Sequence, residues 1–295
     1  MNVRTYFERK WRWKKGINHF LNTILLYTMA IIAIIPILLV LSGSIMSNYE
    51  LSENLRAIVF ETDEFIRWKW IADYPTGKHY RNLLLYMPSF YVVFWNSIKL
   101  VLCILVGQML FAVPAAWAFA VYSFRFRKTL FTVYIVLMLM PFQVTMLSNY
   151  LVLDALHILD THKAIILPAV FSTFPVFLIY RGFRNLPEEI LDAARVDGSG
   201  EWRIFLHIGL PLSSSGILSA MVLGFFEYWN LIEQPLAFLQ NKTLWPLSLF
   251  LPEIGMEQAG YAFAASVITL IPVVFVFLLG RDHFEQGIVS SALKE

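Results

Sequence analysis

A chain of 295 residues with 58% hydrophobic residues, 15% charged residues and a mean hydropathy of +0.62 is too apolar for a soluble domain and belongs to the membrane class. A net charge of +2 gives no basic surplus for a nucleic-acid partner. The single cysteine, Cys103, rules out a disulfide framework or a thiolate metal cluster, and inside an apolar run it is expected to be a buried packing residue.

Residues 1–19 carry Arg4, Arg9, Lys10, Arg12, Lys14 and Lys15 among Tyr6, Phe7, Trp11 and Trp13, a basic, aromatic segment expected on the cytoplasmic surface. From Phe20 to Leu41 the chain has the ~20 apolar residues needed to cross ~30 Å of hydrocarbon. This run is too long for a signal-peptide core and no small-residue cleavage site follows it. It therefore reads as a permanent first span, helical because backbone polar groups cannot stay unpaired in lipid, with a bend at Pro36. Residues 42–90 are the longest polar segment, with Glu50, Glu53, Glu61, Asp63, Glu64 and Asp73 mixed with Arg67, Trp68, Lys69 and Trp70. They are expected to form a small external cap containing an amphipathic piece.

A second span is expected over 95–118, with an interfacial start at Asn96 and Lys99 and a kink at Pro114. Arg125, Arg127 and Lys128 return the chain to the basic side, and a third span over 130–149 contains Pro141 and Gln143. Asp154, His157, Asp160 and His162 then fall in a short external stretch, where a solvated turn explains them better than a metal site. The fourth span, 164–180, holds Pro168 and Pro175 and delivers Arg181 and Arg184 to the inside. A fifth, 213–232, opens with Ser213, Ser214 and Ser215 and closes with Glu227, Tyr228, Trp229 and Asn230. Pro235, Pro246 and Pro252 mark 233–258 as a re-entrant or irregular external loop. The sixth span, 259–280, ends at Arg281, and residues 281–295 form a tail. With both termini inside, 15 of the 23 Lys and Arg residues fall on the cytoplasmic side, as the positive-inside rule requires. The predicted fold is all-α: a polytopic membrane protein whose membrane domain, 20–280, has six transmembrane helices.

Between the fourth and fifth spans lies a polar island, 181–211. Asn185 and, three residues later, Glu188 predict a capping box, Pro187 fits a first helical turn, and Gly198 suits a left-handed stop. Ser199 and Glu201 start a second helical run that ends at Leu210 and Pro211. On the first helix Ile190, Ala193, Ala194 and Asp197 make a narrow stripe of mostly small side chains, while Glu188, Asp192 and Arg195 line a charged face. Glu188 and Asp192 repel one another across one turn, which a partner with a basic rim would offset. The carboxylates Glu188, Glu189 and Asp192 therefore read as a docking surface.

Asp192, Ala193 and Ala194, then Gly198, then Ile208, Leu210 and Pro211 have the spacing of the cytoplasmic loop that marks permease subunits of binding-protein-dependent ABC importers. The chain resembles the carbohydrate branch, and is similar to the second permease subunit of maltose-type importers, with Asp192 in place of the usual Glu. Asn96 and Ser97, Pro141 to Gln143, Leu167 and Pro168, Trp229 and Asn230, and Phe284 to Gly287 extend the resemblance along the chain. It implies that 181–211 is a coupling loop with a coupling helix, with Glu188, Glu189, Asp192, Ala193, Ala194, Gly198, Ile208, Leu210 and Pro211 contacting an ATPase. The implied partners are a homologous second permease, two ATPase subunits that hold the ATP and Mg, an external solute-binding protein and the bilayer of a prokaryotic cell membrane. The implied cargo is a sugar, with an oligosaccharide expected. A polyol phosphate or polyamine is the alternative, and an ATP-independent channel a more distant one.

The residues themselves show no GxxxxGK[ST] phosphate loop, no HExxH and no catalytic cluster, so the chain is expected to be a transport subunit that binds no cofactor. Glu227 is the ionisable residue within a span that most suggests a pathway, although snorkelling to the interface also explains it. Tyr228, Trp229 and Asn230 offer rings and an amide suited to a sugar, or equally an interfacial aromatic belt; Gln143, Asn149 and Tyr150 are further pathway candidates.

Overall fold

A computed structural model describes residues 3–56, 69–251 and 258–292, with side chains described over 20–56, 69–251 and 258–281. Among these residues the regular structure is helical throughout, in the order α1 Val3–Ile45, α2 Asn48–Asn54, α3 Lys78–Tyr86, α4 Pro88–Val121, α5 Arg127–Met138, α6 Phe142–Ala155, α7 Lys163–Val170, α8 Thr173–Arg184, α9 Glu188–Val196, α10 Glu201–Leu212, α11 Ser214–Trp229, α12 Glu233–Phe238, α13 Leu247–Phe250 and α14 Ala259–Ala292. Four helical stretches are long and apolar enough to cross a bilayer: Phe20–Ile45, Pro88–Val121, Lys163–Arg184, which joins α7 and α8, and Ala259–Arg281. Two bent pairs among the described residues, α5 with α6 and α10 with α11, bring the number up to six when each pair is counted as one span.

Several expectations need correcting. The basic N-terminal segment and the first span are one helix, which continues through Pro36 to Ile45. The second span is longer than 95–118 and runs unbroken through Pro114 to Val121. The third span is not a single helix: α5 and α6 meet at 101° around Leu139 to Pro141. Pro141, extended at φ −67° and ψ 147°, has no amide to continue the ladder and starts α6 as its N-cap. Cys103 is exposed on the outside of this chain rather than packed within it. Residues 57–68, which hold Glu61, Asp63, Glu64, Arg67 and Trp68, lie outside the described residues, as do Pro252 and the side chains of Phe284 to Gly287.

The chain divides into two compact units. The first comprises Met1–Leu83 with Ile254–Ile268. Here a capping box that sequence reading missed opens α2: the Ser47 side chain accepts from the Glu50 amide while the Glu50 carboxylate accepts from the Ser47 amide. The same carboxylate also accepts from the amides of Asp73 and Tyr74, so one buried side chain ties α2 to the segment before α3. His79 on α3, buried against the edge of Tyr261, faces the Met46 carbonyl at 3.0 Å, so Nε2 carries the ring proton and donates. Tyr80 donates to Ser44 at 2.7 Å and Asn82 to the Tyr261 hydroxyl at 3.0 Å.

The second unit comprises Leu84–Glu253 with Thr269–Glu295. Its core joins Ala112, Ala116 and Trp117 of α4, Val176, Ile179 and Phe183 of α8, Ile217 and Ala220 of α11, and Leu191, Ala194, Ile204 and Phe205 of the polar island. The island is thus seated on the bundle by its own apolar side chains, each worth about 1.5–3 kcal/mol for a large residue taken fully from water. Higher in α4, the buried Gln108 donates to the Ala169 carbonyl at 2.8 Å and to the Tyr228 hydroxyl at 2.9 Å, joining three spans. At the opposite end Asn96 donates to the carbonyls of Thr243 and Trp245, which fixes the 233–251 loop against the start of the second span.

Candidate functional site

The island begins later than its letters suggest. Asn185 ends α8 as its C-cap, with its amide on the Gly182 carbonyl, and the first residue of α9 is Glu188 with Pro187 as N-cap and no side-chain cap bond. The expected box at Asn185 and Glu188 does not form, because the preceding helix has already used Asn185. The stop at Gly198 is as expected: φ is +80°, the Gly198 amide bonds the Arg195 carbonyl and the Ser199 amide reaches the Ala194 carbonyl, a Schellman closure. Gly200 then caps α10, whose middle, Phe205–Gly209, widens into a π-turn. The backbone comes close there to the Trp117 ring: a Cβ on Gly209 would stand 2.5 Å from it.

The faces of α9 divide cleanly. Leu191 and Ala194 turn into the core, so Ala194 is not part of an open stripe. Glu188, Glu189, Ile190, Asp192, Ala193 and Val196 face outward, and Val196, at 87% exposure, touches little of its own chain. Ile208 and Leu210 pack half-buried against the core, while Pro211 is exposed. The repulsion expected between Glu188 and Asp192 is relieved within the chain, since Arg195 reaches Asp192 at 2.8 Å and Arg184 approaches Glu188 at 3.9 Å. Arg195 also grips Glu201 across the Gly198 turn, with Nε 2.8 Å from Oε1. This pairing holds the Glu201 carboxyl below the ordinary range, and the Glu201 hydrogen bond leads the causes that raise the Arg195 guanidinium above its own. Trp202, 68% exposed, lies beside this pair and was missed by sequence reading, as was Val196. The signal was an apolar residue on an otherwise polar surface.

The pathway candidates separate into two groups. Tyr228 and Trp229 are buried: Tyr228 on Gln108, and Trp229 stacked on Phe225 at 5.4 Å with its edge toward Phe94. They therefore offer no open aromatic face. Glu227 is exposed, and Asn230 is exposed with its amide donating to the Phe226 carbonyl at 2.9 Å. Gln143 and Tyr150 come together at a cavity of about 540 Å³ on α6 and α12, lined also by Phe142, Met146, Leu147, Glu233, Leu236 and Ala237. Gln143 donates to Glu233 across it at 2.6 Å. Asn149, half-buried, is not in the lining. Glu233, 90 positions from its amide partner, carried no local signal.

The turn at 156–162, expected to be external and solvated, is more ordered than that. Asp160, at φ +54°, accepts from the amides of Gln240 and Asn241 at 2.9 and 2.8 Å, and His162 faces the Leu244 carbonyl at 3.0 Å. Burial lowers the His162 pKa, and the carbonyl counteracts this in part. Among the described residues no group of His, Cys, Asp and Glu has the arrangement of a metal site.

The family model for inner membrane components of binding-protein-dependent transport systems matches residues 108–290. An arabinooligosaccharide transport system permease of Halalkalibacterium halodurans is 27% identical over 90% of this chain and 93% of its own length. A lactose transport system permease of Rhizobium radiobacter is 29% identical over 68% of this chain and 74% of its own. An sn-glycerol-3-phosphate transport system permease of Yersinia enterocolitica is 30% identical over 68% and 74%. The fold is similar to that of a chain in the crystal structure of a bacterial ABC transporter that imports the acidic polysaccharide alginate, with a TM-score of 0.77 and 20% identity over 92% of this chain and 98% of that one.

Proposed function

The chain belongs to the family of binding-protein-dependent transport system inner membrane components, and on that premise we propose that it forms half of the pathway of an ATP-driven ABC importer for a sugar, an oligosaccharide being the best fit. A homologous second permease supplies the other half. Two ATPase subunits bind the ATP and Mg and seat on 188–211, and an external solute-binding protein delivers the cargo. Both termini are cytoplasmic, which puts the docking loop on the side where ATP is.

The cavity at Gln143, Tyr150 and Glu233 carries the sugar reading. Its rings can stack on a pyranose face, and its amide and carboxylate can bond hydroxyls, while no Lys, Arg or His lines it to receive an anion. Relatives named for arabino-oligosaccharide and lactose transport support this reading; the one named for glycerol phosphate favours the alternative of a polyol phosphate. Glu233 decides between them on charge. In proteoliposomes holding the whole complex, uptake should need ATP and favour neutral oligosaccharide over sn-glycerol-3-phosphate. Glu233→Lys should lower sugar uptake about tenfold, the cost of one charge-assisted hydrogen bond lost. Preferred uptake of glycerol phosphate would replace sugar with polyol phosphate, and uptake without ATP would make the chain a channel.

A further inference from the structure

The turn between α4 and α5 alternates rings with cations: Phe124, Arg125, Phe126, Arg127 and Lys128 follow one another. The Arg127 amide closes it on the Phe124 carbonyl at 3.2 Å, with Phe126 in the left-handed region at φ +66°. Glycine or asparagine takes that conformation with little strain, whereas a bulky aromatic residue rarely adopts it. The ring held there does not enter the core: Phe126 is 64% exposed, with the Arg125 guanidinium 5.1 Å from its centroid. Arg127 folds back to donate to the Ala120 carbonyl at 3.1 Å. Arg125 and Lys128 stay exposed and form no ion pair with a described carboxylate. The sequence supplies no local counter-ion, since no Asp or Glu occurs between Asp73 and Asp154. In the polar island Glu188, Asp192 and Glu201 are paired with Arg184 and Arg195. From Phe126 an exposed apolar stripe continues along α5 through Leu130, Val133 and Leu137, the i, i+4, i+7 and i+11 spacing of one helix face. Phe131, on the opposite side, packs on Tyr180 of α8 at 4.2 Å.

We propose that this turn is a binding site for an anionic phospholipid, with Arg125 and Lys128 on the headgroup phosphate, the Phe126 ring at the interface, and an acyl chain along Leu130, Val133 and Leu137. Two cations without counter-ions stand at the end of an apolar stripe on a membrane helix, which is the order of parts in a lipid molecule. A zwitterionic lipid carries its own ammonium beside the phosphate and gains less from them. Seating the Phe126 ring among headgroups and acyl chains gives the strained backbone a use, since the ring is amphipathic in its setting, apolar in itself and capped by Arg125. The site is independent of the cargo and of the docking loop.

The test uses the assembled complex in vesicles of phosphatidylglycerol diluted in phosphatidylcholine, with an acyl-chain diazirine probe on one lipid or the other and the labelled peptides mapped after irradiation. At equal probe concentration, residues 122–137 should be labelled more by phosphatidylglycerol than by phosphatidylcholine, and added salt should shrink the preference. Arg125→Gln and Lys128→Gln should each lower labelling by the anionic probe about threefold to fivefold, with labelling by the zwitterionic probe unchanged. Phe126→Asn suits the left-handed backbone, so it should keep or raise the thermal midpoint of the complex in detergent while weakening labelling by the anionic probe. Equal labelling of the segment by both probes, a preference that survives both glutamine substitutions, or a parallel fall with both probes would each overturn the proposal. So would a lowered midpoint in Phe126→Asn, which would make the ring a packing residue, or no labelling by either probe, which would mean that another protein covers this face.

Discussion

Gly216 at the start of α11 lies against the backbone of Gly182 on α8: a Cβ built on Gly216 would stand 3.1 Å from the Gly182 Cα, whereas one built on Gly182 would meet Gly216 at an ordinary 3.4 Å. The two helices that flank the polar island thus cross backbone to backbone where the buried Ser213 also sits. Backbone cannot yield as a flexible side chain can. Gly216→Ala should therefore destabilise the subunit by about 1–3 kcal/mol, and Gly182→Ala should be close to neutral. Thermal unfolding of the detergent-purified complex reads the difference. Equal midpoints for the two variants would remove the close crossing from the account.

Gly198 is constrained differently. No heavy atom lies within 4 Å of the position a Cβ would take, so only its φ of +80° resists a side chain. Left-handed backbone costs an L-residue about 1–2 kcal/mol, and Asn less than most. Gly198→Val should leave membrane insertion intact while strongly reducing uptake relative to ATP hydrolysis, and Gly198→Asn should keep most of it. Normal transport by the valine variant would show that the turn geometry is not used in coupling.

How much of this was legible in the letters depended on how local the cause was. The turn at Gly198 is decided by one residue's backbone freedom and was readable. Asn185 and Glu188 have capping-box spacing, yet Asn185 belongs to the end of α8, because the same residue type also terminates helices and spacing cannot say which helix claims it. The functioning box, Ser47 with Glu50, lay unremarked in a stretch read as polar loop. Pro141 was noted but not the 101° turn around it, since apolar composition is blind to direction. Tyr228 and Trp229 pointed inward because Gln108 and Phe94, more than a hundred residues earlier, set which face of α11 is inside. Glu233 was invisible for the same reason.

Glu50 makes the segment around α2 sensitive to acid. Burial pushes its carboxyl up, but the bonds it accepts from the Ser47, Asp73 and Tyr74 amides and the Ser47 hydroxyl outweigh this and leave it below its ordinary value. For a carboxyl depressed in the folded state, the stabilisation is complete above the unfolded pKa, roughly 4.3, and is lost as pH falls through the lower folded value. The neighbouring Lys69–Asp73 pair is exposed on both sides and adds little. Protection of the Asp73 and Tyr74 amides against hydrogen exchange, corrected for the intrinsic rate at each pH, should therefore hold at neutral pH and fall on acidification below about pH 4. Glu50→Gln keeps one acceptor oxygen but no charge. It should start with weaker protection at neutral pH and show little further loss in acid. The same acid dependence in the glutamine variant would mean that another group, not Glu50, titrates with the opening of this segment.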